Sequence, residues 1–396
     1  MGTAIQEEEG LAEELSRNGK TIIKLNRGDP AAYFPTPSYI IEPYIKALQA
    51  RKTSYSRAQG IPELQMAVSE RYKRRYGINV NGDNVIVTSG LAEAISFING
   101  AVVNAGEYAI LFRPYYVQYL SALKTNGGLP VFADYQEKAN WSVDVDALEK
   151  AIKLAKKRHA CIKYLLITNP NNPTGTVLSR KTLEEIARVA NKNNIFLISD
   201  EIYDEIVFGG ASFTSLSQVA GGQPYAVLNG ASKTFDATGF RLGYVIIPGR
   251  DRGSVDLRKK LVDYARVRLS ANTPAEYAFA VALRNEREHS KAIKNMVSKI
   301  ERIVDTAMKM LAKNPYLETV RPNSAFYIFP RIRLDLLDLR DDSEFVEKLL
   351  REKYVQTTRG SGFGAPSHFR IVALAPKDVT EEAIRRINDF CDAHAK

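Results

Sequence analysis

The chain has 396 residues, 45% hydrophobic and 25% charged, with a net charge of +10. That balance excludes a disordered or fibrous chain and leaves room for a large core shared between two domains. Two distant cysteines, Cys161 and Cys391, exclude a disulfide framework, four histidines argue against a histidine-based metal site, and a reducing cytoplasm is the expected location.

The chain opens on an acidic stretch, with Glu7, Glu8, Glu9, Glu13 and Glu14 before Gly19. It lacks the basic start and apolar run of a signal peptide. No apolar run reaches the ~20 residues of a membrane span, so no membrane partner is expected. Basic clusters fall at 71–75, 150–163 and 250–268, mixed with Glu and Asp in helical stretches and without an aromatic platform. They read as solvated helix faces that steer anions, not as a nucleic-acid surface.

Seven short apolar runs follow: 85–87, 109–112, 131–132, 164–167, 195–198, 226–228 and 244–247. Each is apolar on both faces and bounded by turn residues, the pattern of buried, mainly parallel strands. Helical patterns lie between several of them. In one, over 178–193, Ser179 or Thr182 is the expected cap, with Glu185 completing a Thr-x-x-Glu box. From Thr273 to Asn314 the pattern is long and helical. A strand at 326–329, a helix at 343–353, a strand at 369–374 and a helix from Thr380 complete the chain. Strand–helix alternation predicts an α/β large domain over 41–280, a mainly parallel seven-stranded sheet flanked by helices. Residues 281–396 predict a smaller α+β domain, and 1–40 an N-terminal arm packing with it.

The polar residues fall in a regular place. Ser89-Gly90, Pro114-Tyr115-Tyr116, Asn169 to Gly175, Asp200 with Tyr203, and Ser232-Lys233 each follow one of the runs. In an open parallel sheet, ligands bind at the carboxyl ends of the strands. The five clusters therefore converge on one edge. A lysine amine can form an imine, a carboxylate can keep a pyridine nitrogen protonated, and an arginine such as Arg241 can neutralise phosphate. That set suits pyridoxal 5'-phosphate.

The Ser232-Lys233 to Arg241 spacing, Asn169-Pro170-Asn171-Asn172-Pro173-Thr174-Gly175 and Asp200-Glu201-Ile202-Tyr203 together make a specific resemblance. From about Leu25 to the C-terminal helix the chain resembles the fold-type-I, pyridoxal-phosphate-dependent aminotransferases of class I/II. The resemblance implies that Lys233 carries the cofactor and then moves a proton, while Asp200 pairs with the pyridine nitrogen. It implies that Asn172 and Tyr203 hold the ring hydroxyl oxygen and that Tyr116 stacks on the ring. Phosphate contacts are implied for Gly90, Leu91, Ala92, Ser232 and Arg241. Tyr55 resembles a residue that reaches the phosphate of a neighbouring subunit, which implies a homodimer with shared active sites. Arg370 matches the arginine that grips the substrate α-carboxylate, and Gly28 lies in the loop that closes over substrate.

Three positions depart from the family pattern: Gly230, where Ser or Thr is common, Ser324, where Gly is common, and Arg359, where Pro is common. The last two are expected in or near the wall of the site. The implied activity is transfer of the amino group of an L-α-amino acid to a 2-oxo acid by a ping-pong mechanism. The alternative on the same fold is a carbon–sulfur β-lyase or an aminocyclopropane-carboxylate-synthase-like enzyme. A ligand-sensing regulator would need an added DNA-binding module, which the first 25 residues are too short to hold. For the substrate side chain, Tyr33, Phe34, Tyr115, Tyr116 and Phe363 are candidates for an apolar pocket. Arg27, Arg57 and Arg359 are candidates for a second carboxylate.

Overall fold

In the computed structural model, residues 4–396 are described, with side chains from Glu8 onward. The fold expectation is borne out. All seven apolar runs become strands of one sheet, and a short eighth strand extends its edge. In chain order these are β1 (Val85–Thr88), β2 (Tyr108–Arg113), β3 (Leu129–Gln136), β4 (Ser142–Val143), β5 (Ile162–Thr168), β6 (Phe196–Asp200), β7 (Tyr225–Gly230) and β8 (Gly243–Ile246). The sheet order is β1-β8-β7-β6-β5-β2-β3-β4. The pairs β7–β6, β6–β5, β5–β2 and β2–β3 are parallel, whereas β8 runs antiparallel to both its neighbours and β4 antiparallel to β3.

Both faces of the sheet are covered, which is why the runs lack polar alternation. On β5, Leu165 and Ile167 enter one apolar cluster and Tyr164 and Leu166 the other. Strand succession reverses between β2 and β5, so a crevice opens beyond their carboxyl ends. Register aligns those ends: Thr168 pairs with Asp200, and Asp200 with Leu228.

A third apolar cluster lies among the helices Glu286–Leu311, Asp342–Lys353 and Lys377–Ala393 and the strands Tyr327–Ile328 and Phe369–Val372. The long helical stretch from Thr273 is two helices, Thr273–Arg284 and Glu286–Leu311, joined at Asn285. Strand Ile23–Lys24 pairs with Val355–Gln356. The helix predicted over 178–193 runs from Arg180 to Lys192. Its cap is Ser179, whose hydroxyl accepts from the Thr182 amide at 3.1 Å, so the Thr182–Glu185 box is not the N-terminus.

In the basic cluster at 71–75, Lys73, Arg74 and Arg75 are exposed as expected, but Arg71 is not. The Arg71 side chain is 3% exposed and donates to Asp204 Oδ2 at 3.1 Å and to Glu205. Arg75 reaches Glu205 at 2.8 Å, and His289 Nε2 lies 2.8 Å from the same carboxylate. Tyr76 donates to Asp204 at 2.6 Å. His289 stacks on Phe235 at 4.1 Å, two residues beyond Lys233. The network is the floor under the segment that carries the lysine. Among the described residues no helix is long and apolar enough to cross a membrane.

Removing one partner of a buried ion pair leaves the others desolvated and uncompensated. Arg71→Met should therefore lower stability by about 3–5 kcal/mol, measured by denaturant unfolding of the cofactor-free protein. A loss below about 1 kcal/mol, as for an exposed pair, would contradict this account of the network.

Candidate active site

A cavity of about 570 Å³ opens at the carboxyl edge of the sheet. Lys233 enters it from the turn after β7. Its Nζ donates to the Gly28 carbonyl at 2.6 Å. Burial lowers the lysine pKa to about 8; Asp29 opposes the fall, and Arg370 and Arg241 add to it. A usable fraction of neutral amine is thus present near neutral pH.

Asp200 ends β6 and is 4% exposed. Its Oδ2 accepts from the Tyr119 hydroxyl at 2.7 Å and its Oδ1 from the Ile202 amide at 3.1 Å. Burial raises the carboxyl pKa to about 6, against these two donors and Lys233. It remains an anion at neutral pH. Thr168 Oγ1 donates in turn to the Tyr119 hydroxyl at 2.9 Å. The sequence reading missed Tyr119. The available signal was its position three residues after Tyr116, on the same face of the helix Val117–Thr125.

Arg370 lies on the strand Phe369–Val372 and is 2% exposed. Its Nη1 donates to Asn172 Oδ1 at 2.9 Å and its Nη2 to the Asn26 carbonyl at 2.7 Å. The rings of Tyr327 and Phe363 flank the guanidinium at 4.8 and 4.7 Å. Tyr203 and Tyr327 share a hydroxyl–hydroxyl bond of 2.7 Å, and burial raises the Tyr203 pKa.

At the other end, Leu91 and Ala92 begin the helix Leu91–Val102, which has no side-chain cap. Its first amides have no partner within the helix. Gly90 precedes it at φ 78°, and a Cβ there would fall 2.5 Å from Arg241 Nη2. Glycine therefore keeps the cradle open for the guanidinium and for an anion beside it. Ser232 lines the same cavity.

Leu91, Ala92, Tyr116, Asn172, Asp200, Tyr203, Ser232, Lys233, Arg241, Gly28 and Arg370 thus share one cavity, with Gly90 at its rim. Tyr55 does not join them; it is 79% exposed. Of the three candidates for a second carboxylate only Arg27 lines the cavity. Arg57 is exposed, and Arg359 donates to Ser343 Oγ at 2.9 Å. Of the proposed aromatic pocket only Tyr116 is a lining residue. Tyr115 stacks on Phe132, Tyr33 donates to the Lys24 carbonyl, and Phe363 backs Arg370. Tyr327, read only as part of a strand, lines the cavity.

One of the three departures has a local cause. Gly230 pairs with Gly243 across β7 and β8, and a Cβ would fall 2.5 Å from the Leu242 carbonyl oxygen. A serine or threonine does not fit there. Ser324 donates its amide to the Gly175 carbonyl, and neither it nor Arg359 lines the cavity.

The donor set fits pyridoxal phosphate: an amine of lowered pKa, a buried carboxylate, an uncapped helix terminus with an arginine beside it, and a tyrosine wall. On such a sheet it defines an enzyme of the pyridoxal-phosphate class. The family model for aminotransferase class I and II matches residues 20–387, and the chain belongs to that family. It is 32% identical to an asparagine–oxo-acid transaminase of Streptococcus mutans, over 96% of this chain and 94% of that one. An alanine aminotransferase structure from Pyrococcus furiosus superposes with a TM-score of 0.93 at 35% identity, covering 99% and 98% of the two chains. An aspartate aminotransferase of Thermus thermophilus with maleate gives a TM-score of 0.89 at 30% identity, covering 98% and 97%. The protein is a pyridoxal-phosphate-dependent aminotransferase, moving the amino group of an amino acid to a 2-oxo acid. These relatives favour amino transfer over the lyase alternative.

The raised Asp200 pKa has a definite sign. The folded state holds this proton more tightly than the unfolded chain. The group thus favours folding fully below its ordinary value of 3.8, and the benefit is lost as pH rises through about 6. The Tyr119 hydroxyl softens that loss. In cofactor-free Tyr119→Phe the stability deficit should be about 1 kcal/mol with the carboxyl protonated and about 2–3 kcal/mol once it ionises. Denaturant unfolding at low pH and at pH 8 checks this. An equal deficit at both would make Tyr119 a packing group alone.

Proposed function

We propose that Lys233 is both the covalent anchor of the cofactor and the proton carrier of a ping-pong transamination. The observation that carries this reading is the meeting of Lys233, Asp200, Arg241 and Arg370 in one cavity. Bound pyridoxal phosphate supplies an electron sink for the substrate carbon that loses its proton. Lys233 Nζ, as a free amine of lowered pKa, would take and return that proton. To bind covalently it gives up its bond to the Gly28 carbonyl. Asp200, held ionised by Tyr119 and the Ile202 amide, keeps the pyridine nitrogen protonated.

Asn172 and Tyr203 would hold the ring hydroxyl oxygen, and Tyr116 would flank the ring. Gly90, Leu91, Ala92, Ser232 and Arg241 would hold the phosphate. Arg370, braced by Asn172 and Asn26, takes the α-carboxylate as a planar fork. Gly28 belongs to the loop that closes over substrate.

The working unit in this reading is a homodimer. Tyr55 stands exposed, and Arg268 ties the Ala58 carbonyl of its loop to a helix end bearing Val267 and Leu269, 86% and 51% exposed. Apolar side chains so exposed around one loop suit a two-fold interface that carries Tyr55 to the partner's phosphate. The chain divides as an arm at 1–40, a cofactor-binding domain at 41–280 and a small domain at 281–396. The two unbridged cysteines fit a cytoplasmic location.

Borohydride reduction of the holoenzyme and peptide mapping should place the pyridoxyl group on Lys233. A label on another lysine removes the anchor. Arg370→Ala should weaken every amino acid and every 2-oxo acid together, by about 2–5 kcal/mol in kcat/KM, with Arg370→Lys recovering part. Loss of one donor alone would make Arg370 a side-chain selector. Sedimentation of an active monomer at assay concentration would refute the shared site.

A further inference from the structure

We propose that Glu9 and Arg27 form an exchangeable latch over the cavity, in which Glu9 occupies the place that the second carboxylate of a dicarboxylic substrate takes on Arg27. The inference rests on the aminotransferase reading above, in which Arg370 holds the first carboxylate.

Three arginines line the cavity. Arg370 is buried, and Arg241 Nη1 donates to the Thr238 carbonyl beside the Gly90 cradle. Arg27 differs from both. Its side chain is 74% exposed, and its Nε lies 3.0 Å from Glu9 Oε1. Glu9 belongs to the helix Ala4–Arg17 and also lines the cavity.

The backbone around Arg27 is pinned to the reaction site. The preceding carbonyl, of Asn26, accepts from Arg370, and the following one, of Gly28, accepts from Lys233 until the lysine takes the cofactor. The Arg27 side chain therefore starts from a fixed point between the α-carboxylate arginine and the lysine. The helix is anchored independently of Glu9. The Glu8 carbonyl accepts from Gln356 Nε2 at 3.2 Å, and Glu8 Oε1 from the Arg359 amide at 3.2 Å. Glu9 can leave Arg27 without the helix leaving the protein.

Exposure decides that the contact is exchangeable. The buried Arg71 cluster cannot lose a partner cheaply, whereas an exposed pair is worth little and is readily displaced by a competing carboxylate. A substrate already held by Arg370 presents its second carboxylate at high effective concentration. A short apolar substrate presents none, and Glu9 then stays in place and neutralises Arg27. One site thereby accepts both substrate types.

The test uses holoenzyme and two non-reacting probes, succinate and propionate, with binding followed by the cofactor absorbance. Arg27→Gln should weaken succinate about fivefold, the upper range for an exposed pair, and move propionate by less than about twofold. Glu9→Gln should tighten succinate about twofold or more and leave propionate alone, because the internal competitor is gone. The double variant should match Arg27→Gln. The ratio of kcat/KM for aspartate to that for alanine should follow succinate. Equal weakening of both probes in Arg27→Gln, or unchanged succinate binding in Glu9→Gln, overturns the latch. Failure of the underlying reading would look different: the unmodified holoenzyme would transfer no amino group from any amino acid.

Discussion

Charge removed from water is costly, and this site gathers several such charges. Asp200 ends a strand that is apolar but for Ser199, and Arg370 sits between two aromatic rings. Each is tolerated because its neighbours are polar groups aimed at it. Tyr119 and the Ile202 amide serve the carboxylate, and Asn172 and the Asn26 carbonyl serve the guanidinium. The sheet makes this possible. Its reversal between β2 and β5 leaves room at the carboxyl edge, so that loops from several strands and the C-terminal elements can meet there.

The second buried network has a supporting role of the same physical kind. Arg71, Asp204, Glu205 and His289 lie beneath Phe235, close in sequence to Lys233. A floor of directional ion pairs resists sliding more than an apolar floor would, and the proton-carrying role proposed for Lys233 calls for a fixed base. At the neighbouring strand ends the paired glycines 230 and 243 let the backbones approach where a family hydroxyl is absent.

Much of this was legible in the sequence, for reasons that mark its limits. Strands covered on both faces leave runs that only such burial produces, so all seven main strands were readable; β4, two residues long, has no such run. The site residues after strands were readable because topology puts strand ends together. Tyr119 was not, because its bond to Asp200 joins residues 81 apart and its only local mark is the three-residue spacing from Tyr116. Arg71 was misread as solvated because its partner Asp204 is 133 residues away. The aromatic pocket failed for Tyr115 because a helix start turns it toward Phe132 while Tyr116 faces the cavity. Side-chain direction at a turn depends on backbone angles that composition does not carry.

The ties across the site span long stretches of chain: 198 residues from Asn172 to Arg370, 205 from Gly28 to Lys233, and 344 from Asn26 to Arg370. Contacts of such separation close late, since the entropy of the intervening loop must be lost first. During synthesis the large sheet can assemble while Arg370 is still to be made, and the cavity then lacks one wall. On the role proposed for Arg370, competence to bind substrate arrives only once that residue has been made, and a nascent chain can be well folded over the large sheet while still catalytically silent.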